Sequence, residues 1–323
     1  DHVHRELEGG RLARFEADTG VVILENSKGT PGLDPAQIQE GIAFGKVLGG
    51  YSRLLLAEAF CEATIAGGQA MGSDQVMSRA LTTLQEAETA ASDAGVTELE
   101  TAAVLGQARA QLWLGNYDEA SSLASAVPRD FSFPSYYSTN SVGEKNDVYQ
   151  LTWGEDNVIR WTVGAGTAPE LYNEEFAYYD QWVDLGLIES RPDLTSFNIP
   201  IPVHLQQKYS AGDAAIPVAE GAEADMIQAE VALRNDDVST ADSLVNSWRQ
   251  ERGLDPISFS GNLQDDLETL ARERSRELWL TGRRLGNLRR LLDEDVDLYP
   301  EGKPGSDTCF PLPQQEIDTN TNI

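Results

Sequence analysis

The sequence predicts a mainly α-helical protein, with helical hairpins packed against an irregular, aromatic-rich region that holds a few short strands. Three observations carry the prediction. Apolar residues recur at helical spacing through residues 36–127 and again from about 221. Residues 129–220 are punctuated by Pro, Gly and Asn instead. That middle stretch also holds 14 of the chain's 25 Phe, Trp and Tyr residues, so flat side chains gather where regular elements are few.

The first helical run, "AQIQEGIAFGKVLGGYSRLLLAEAFCEATIAGG", has the long apolar stretches of buried helices. In "SDQVMSRALTTLQEAETAASDAG", Ser73 is the expected N-cap, Val76, Ala80, Leu81, Leu84 and Ala87 share a face, and Gly95 supplies the stop. "TELETAAVLGQARAQLWLGNYDEASSLASAVP" reads as two antiparallel helices turning at Leu114-Gly115-Asn116-Tyr117 and ended by Pro128. Small residues at Ala108 and Ala120 let the two approach, a spacing that resembles a tetratricopeptide-type hairpin. In the irregular stretch, "DVYQLTW" and "NVIRWTV" are candidate strands. From 221, "AEADMIQAEVALRNDD" pairs with "STADSLVNSWRQERG" as a further hairpin. There Ser239 and Asp242 form a capping box, Ala241, Leu244, Val245 and Trp248 face inward, and Gly253 stops the helix. Another helix starts near Asn262. The expected organisation is one domain over 1–323: N-terminal helices at 36–128, an irregular ligand-side region at 129–220, and C-terminal helices with a tail at 221–323.

That last helix carries Leu263, Leu267, Leu270 and Leu278 along one stripe, and the missing step is Arg274. A charge on a packed face needs an acceptor, because an unpaired buried charge is costly. Glu277 at i+3 and Glu230, on a semi-apolar face of the preceding hairpin, are the candidates for internal ion pairs. Other charges read as exposed: Glu268 with Arg272 is an i,i+4 pair, and the doublets Arg283-Arg284 and Arg289-Arg290 flank Leu285 and Leu288, with Gly282 and Gly286 loosening the backbone.

Composition excludes several function classes. The 323 residues carry 24 Lys plus Arg against 53 Asp plus Glu, a net charge of −29, which repels phosphate backbones and speaks against nucleic acid as a partner. No apolar run approaches the ~18 residues of a membrane span. The start, "DHVHRELEGG", has neither the apolar stretch of a signal peptide nor a lipidation cysteine, as in a mature or trimmed form. There is no Gly-x-Ser-x-Gly elbow, phosphate-cradling loop or His-Glu-x-x-His, so no enzyme class, catalytic residue or cofactor is indicated. Two cysteines and three scattered histidines do not make a structural zinc site. The acidic run from Asp293 to Asp297 reads as a solvated turn before it reads as a cation site. Cys61 and Cys309 are open to two readings, a long-range bridge or two separate buried thiols.

The segment "ERSRELWLTGRRLGNLRRL" resembles the C-terminal helical signature of the SusD/RagB family. Arg274, Glu277, Leu278, Gly282, Arg283, Leu288 and Arg290 are read as matching that signature, and Thr281 and Asn287 stand where Glu and Asp are usual. "ADMIQAEVALRNDDVSTADSLVNSWRQERGL", with Glu230, Asn246 and Arg249, and the ending "CFPLPQQEIDTNTNI" are similar to further family segments. "GGYSRLLLAEAFCEATI" resembles the early helix of a short, cysteine-containing branch. Residues 1–35 match weakly. The resemblance implies a helical, tetratricopeptide-like fold and a Cys61–Cys309 bridge. It also implies a lipid-anchored protein on the outer face of a bacterial outer membrane, capturing oligosaccharide or another nutrient for a SusC-like, TonB-dependent transporter. The family has no transferable ligand motif. Aromatic stacking on sugar faces nominates Tyr136, Tyr137, Trp153, Trp161, Tyr178, Tyr179 and Trp182, with core packing as the competing reading. The alternative function is an extracellular scaffold or self-assembling protein, since such hairpins also stack on peptides or copies of themselves.

Overall fold

The computed structural model describes residues 2–153, 188–191, 203–206, 208–292, 294, 296 and 308–322. Its N-terminal half is a stack of helices: α1 (His2–Ser27), α2 (Pro35–Ala59), α3 (Ser73–Ala94), α4 (Thr97–Trp113) and α5 (Tyr117–Ser125). Helix α1 was not evident in the sequence. It docks along α2, where Gly41 and Gly45 present no side chain: a Cβ on Gly41 would lie 2.8 Å from Leu24, and one on Gly45 would lie 2.7 Å from Val21. Successive helices from α2 to α5 then pack on one another around a core that includes Val47, Leu54, Val76, Leu84, Leu105, Ala108 and Ala120, all fully buried. Tyr51 extends this core across a layer, its hydroxyl donating to Ala102 O at 2.7 Å.

Gly95, Gly115 and Gly253 each close a helix or turn at positive φ, 69°, 76° and 72°. Two expected caps differ. Ser73 lies inside α3, whose N-cap is Gly72, and its hydroxyl donates instead to Phe60 O at 2.8 Å. The capping box at Ser239 is replaced by Asp237, which accepts from Thr240 N; Asp242 instead accepts from Phe259 N, bracing the loop that follows.

Three antiparallel strand pairs supply the β-structure among the described residues: β1 (Glu62–Ala63) with β2 (Met71–Gly72), β3 (Ser132–Ser135) with β6 (Ile216–Glu220), and β4 (Ile188–Arg191) with β5 (Val203–Gln206). The expected strand "DVYQLTW" is a helix, α6 (Asp147–Trp153). Its β-branched and aromatic content favours a strand, but Asn146 overrides it. Fully buried, Asn146 accepts from Tyr149 N at 3.0 Å and donates to Ala214 O at 2.7 Å, capping a helical turn from outside. "NVIRWTV" lies outside the described residues.

The C-terminal half comprises α7 (Gly221–Arg234), α8 (Val238–Glu251), α9 (Leu263–Glu277), α10 (Arg284–Leu292) and α11 (Gln314–Thr319). Helix α7 packs on α5 and α4, joining the two halves. Along α9, Leu267, Leu270, Arg274 and Leu278 are buried, whereas Leu263 is 42% exposed because it opens the helix beyond the edge of the packed layer. Asn262 caps α9. The tail returns to α2: Cys309 is disulfide-bonded to Cys61, Phe310 N donates to Ala59 O, and Asn320 Nδ2 donates to Gly68 O. No helix among the described residues is long and apolar enough to cross a membrane.

Candidate functional site

Two layers make up the candidate site: a buried charge scaffold, and the irregular surface that rests on it. The scaffold starts from α7, an apolar helix that carries Glu223 and Glu230 two turns apart on one face. The arginine-rich segment presents Arg283 and Arg290 at the same spacing. Arg283 Nε lies 3.3 Å from Glu223 Oε2, and Arg290 donates to both oxygens of Glu230 at 2.6 Å. One turn on, the signs invert: Arg234 donates to Glu294 at 2.6 and 2.8 Å. All three pairs are 60 positions apart, so they form rungs between two segments running in the same direction.

Arg274 enters from α9, its Nη1 2.9 Å from Glu230 Oε2, and also donates to Met226 O at 2.7 Å and Asn287 Oδ1 at 3.2 Å. Arg109 of α4 donates to both oxygens of Glu58, the Nε–Oε1 bond measuring 2.5 Å, which ties α2 to the same centre. Burial would raise the Glu230 pKa, but Arg290, Arg274 and Arg234 outweigh it and hold the carboxyl well below the usual range. Glu277 takes no part in this cluster; it faces Arg252 at 2.5 Å. The arginine doublets are not exposed pairs. Arg283 and Arg290 are buried, and Arg289 donates to the carbonyls of Ala57, Glu58 and Phe60, at 2.8 to 3.0 Å. Gly286 is buried as well, because a Cβ there would lie 2.7 Å from Glu58 Cδ; it admits close approach rather than loosening the backbone. Glu294, expected in a solvated turn, closes the third rung.

Above this scaffold lie β3, β6 and the segment leading into α6. Arg283 reaches up to bond Val218 O of β6. Lys208 donates to Trp279 O at 2.9 Å. Burial lowers the Lys208 pKa and raises that of Glu220 at the end of β6, each against the opposing charge of the other. The Tyr209 phenol is raised by burial, then by Glu220 and Tyr137. Of the nominated aromatics, Tyr136 projects into solvent at 79% exposed and Tyr137 is half-buried beside this group. Trp153 ends α6, and Trp161, Tyr178, Tyr179 and Trp182 lie outside the described residues.

Sequence reasoning found Arg274 and Glu230 but missed Glu58, Arg109, Glu223, Arg234 and Glu294. The signal was present: "LLLAEAF" and "VLGQARAQLWL" each set one charge in an apolar helical run, and the sevenfold spacing of Glu223 and Glu230 is repeated by Arg283 and Arg290.

The architecture defines a class, helical hairpin proteins that carry an irregular face on a charge-braced core. Within that class the chain has the fold of the SusD-like proteins. It matches a SusD-like carbohydrate-binding protein from Bacteroides vulgatus at 19% identity and TM-score 0.61, over 87% of this chain and 68% of that one. A laminarin-binding SusD-like protein matches at 15% and 0.61, over 94% and 82%. A SusD/RagB family protein from Bacteroides thetaiotaomicron matches at 13% and 0.62, over 88% and 76%. No protein-family model and no curated protein matches the sequence.

Proposed function

We propose that this chain belongs to the SusD/RagB family and is a cell-surface binding protein, not an enzyme, that captures oligosaccharide. The observation that carries the reading is the shared fold, whose solved examples include proteins described as carbohydrate-binding and laminarin-binding. The aromatic residues of the irregular region supply the chemistry, since an apolar ring face stacks on the C–H face of a sugar. Tyr136 is the exposed member on the described surface. The remaining candidates are Tyr137, Trp153, Trp161, Tyr178, Tyr179 and Trp182. A glycan array followed by calorimetry tests the proposal: wild type binds a neutral oligosaccharide, and Tyr136→Ala weakens binding about tenfold, or ~1.4 kcal/mol. Absence of glycan binding would refute the function, whereas unchanged binding by the variant would refute only the placement of Tyr136.

The finer proposal is an outer-membrane lipoprotein that hands its ligand to a SusC-like, TonB-dependent transporter. Co-purification of the two from native membranes is the expected outcome. The scaffold alternative draws on one feature, the exposed Leu12, Phe15, Val22 and Ile23 along α1. Concentration-dependent oligomers on light scattering, abolished by Phe15→Glu, would favour it.

A further inference from the structure

Where α4, α7 and the segment preceding α10 converge, the scaffold encloses a cavity of about 20 Å³. Arg109, Glu223 and Arg283 all line it, and each is 5 or 6% exposed. Each also brings a buried polar atom that makes no hydrogen bond within the protein: Arg109 Nη1, Glu223 Oε2 and Arg283 Nε. The other nitrogens of Arg109 are committed to Glu58. Arg283 Nε and Glu223 Oε2 lie 3.3 Å apart, close enough for charge attraction but without hydrogen-bond alignment. Buried donors and acceptors left without partners cost more than an ordinary hydrogen bond gains, so three such atoms on side chains that line one cavity point to an occupant.

The polarity of the set selects that occupant. Two atoms are donors and one is a carboxylate oxygen. A halide ion accepts only, and would meet the Glu223 carboxylate. A metal cation would meet the guanidinium groups. Water donates and accepts, needs roughly 10–15 Å³, and when buried makes about three hydrogen bonds. We propose that this cavity is a binding site for a single water molecule that accepts from Arg109 Nη1 and Arg283 Nε and donates to Glu223 Oε2. The water then joins α4, α7 and the arginine signature through one atom, so three segments distant in sequence share one hydrogen-bonded centre.

The rival is a monovalent anion, because the surrounding cluster sets Arg109, Arg234, Arg274, Arg283 and Arg290 against only Glu58, Glu223, Glu230 and Glu294. Crystals of the full chain grown in sodium bromide separate the two. The expected result is a peak within hydrogen-bond distance of Arg109 Nη1 and Glu223 Oε2 that gives no anomalous signal. An anomalous bromide peak in the cavity would overturn the proposal, and so would the absence of any peak. In solution, thermal unfolding in sodium chloride is compared with sodium gluconate at equal ionic strength. Equal midpoints are expected, and a saturable rise specific to chloride would overturn the water in favour of an anion.

Discussion

The charge scaffold makes its sharpest prediction at Glu230. This carboxylate is fully buried and accepts from Arg290 twice at 2.6 Å and from Arg234 at 2.7 and 3.1 Å, with Arg274 at 2.9 Å. Each unit-charge pair is worth ~4 kcal/mol at 4 Å and an effective dielectric of 20, but burial of the ions cancels most of that gain. Glu230→Gln keeps the shape and removes the charge. Three guanidinium groups then face a neutral amide whose nitrogen adds one more donor among donors. Breaking a buried pair from one side costs about 3–5 kcal/mol, and that is the expected loss in urea unfolding at pH 7.

The pH dependence supplies an independent arm. Because the folded pKa of Glu230 is depressed below 4.5, its contribution is fully present above about pH 4.5 and is lost as pH falls towards the folded value. The gap between wild type and Glu230→Gln therefore narrows on acidification. A loss below ~1 kcal/mol at neutral pH, or a gap that stays constant down to about pH 3, would refute the claim that Glu230 is the ionised centre of the network.

Three further variants probe other parts of the structure. Asn287→Asp places a carboxylate at the 3.2 Å contact with Arg274 and offsets the excess arginine, so urea unfolding should show a gain of about 1–2 kcal/mol. Gly286→Ala drives a methyl into Glu58, which is held by Arg109, and should cost about 1–3 kcal/mol in the same assay. The Cys61→Ser/Cys309→Ser double variant opens a 248-residue loop; a thermal melt should show a loss of about 2–5 kcal/mol, with the tail more open to protease.

The helical half of the fold was legible because its elements obey local rules. Val76, Ala80, Leu84 and Ala87 sit at helical spacing and are all fully buried, and Gly95 and Gly115 turn the chain where expected. The failures share a cause, since each is decided by a partner far away in the chain. Asn146 caps α6 only because Ala214 receives its amide. Ser73 leaves its capping role because Phe60 O and Arg289 are within reach of its hydroxyl. Helix α1 depends on a glycine face of α2 rather than on an amphipathic pattern of its own. Arg283 and Arg290 looked exposed because nothing local marks an acceptor; Glu223 and Glu230 lie 60 positions earlier. Charges spaced in matched sevens are satisfied in one alignment and mismatched after a shift of one turn. That is the use for which buried ion pairs are best suited, fixing register rather than adding net stability.

The same pairing shapes the outer surface. Among the described residues, the buried arginines are Arg14, Arg109, Arg249, Arg274, Arg276, Arg283 and Arg290, and the buried acids are Glu58, Glu223, Asp225, Glu230, Asp266, Glu273 and Glu316. The two sets cancel, so the full −29 belongs to the rest of the molecule, where acids outnumber bases more heavily than in the whole chain. A ligand reaching the proposed aromatic face therefore crosses a negative field, which repels uronate and sulfated glycans and leaves neutral ones unaffected. If the chain binds glycans as proposed, neutral oligosaccharides should outcompete acidic ones of equal length at low salt. The gap should shrink as salt is raised, because screening removes the repulsion while stacking persists. Tight binding of an acidic glycan at low salt would mean that a local cluster such as Lys208 overrides the field, and the ligand face would then be assigned to charge rather than to aromatic stacking.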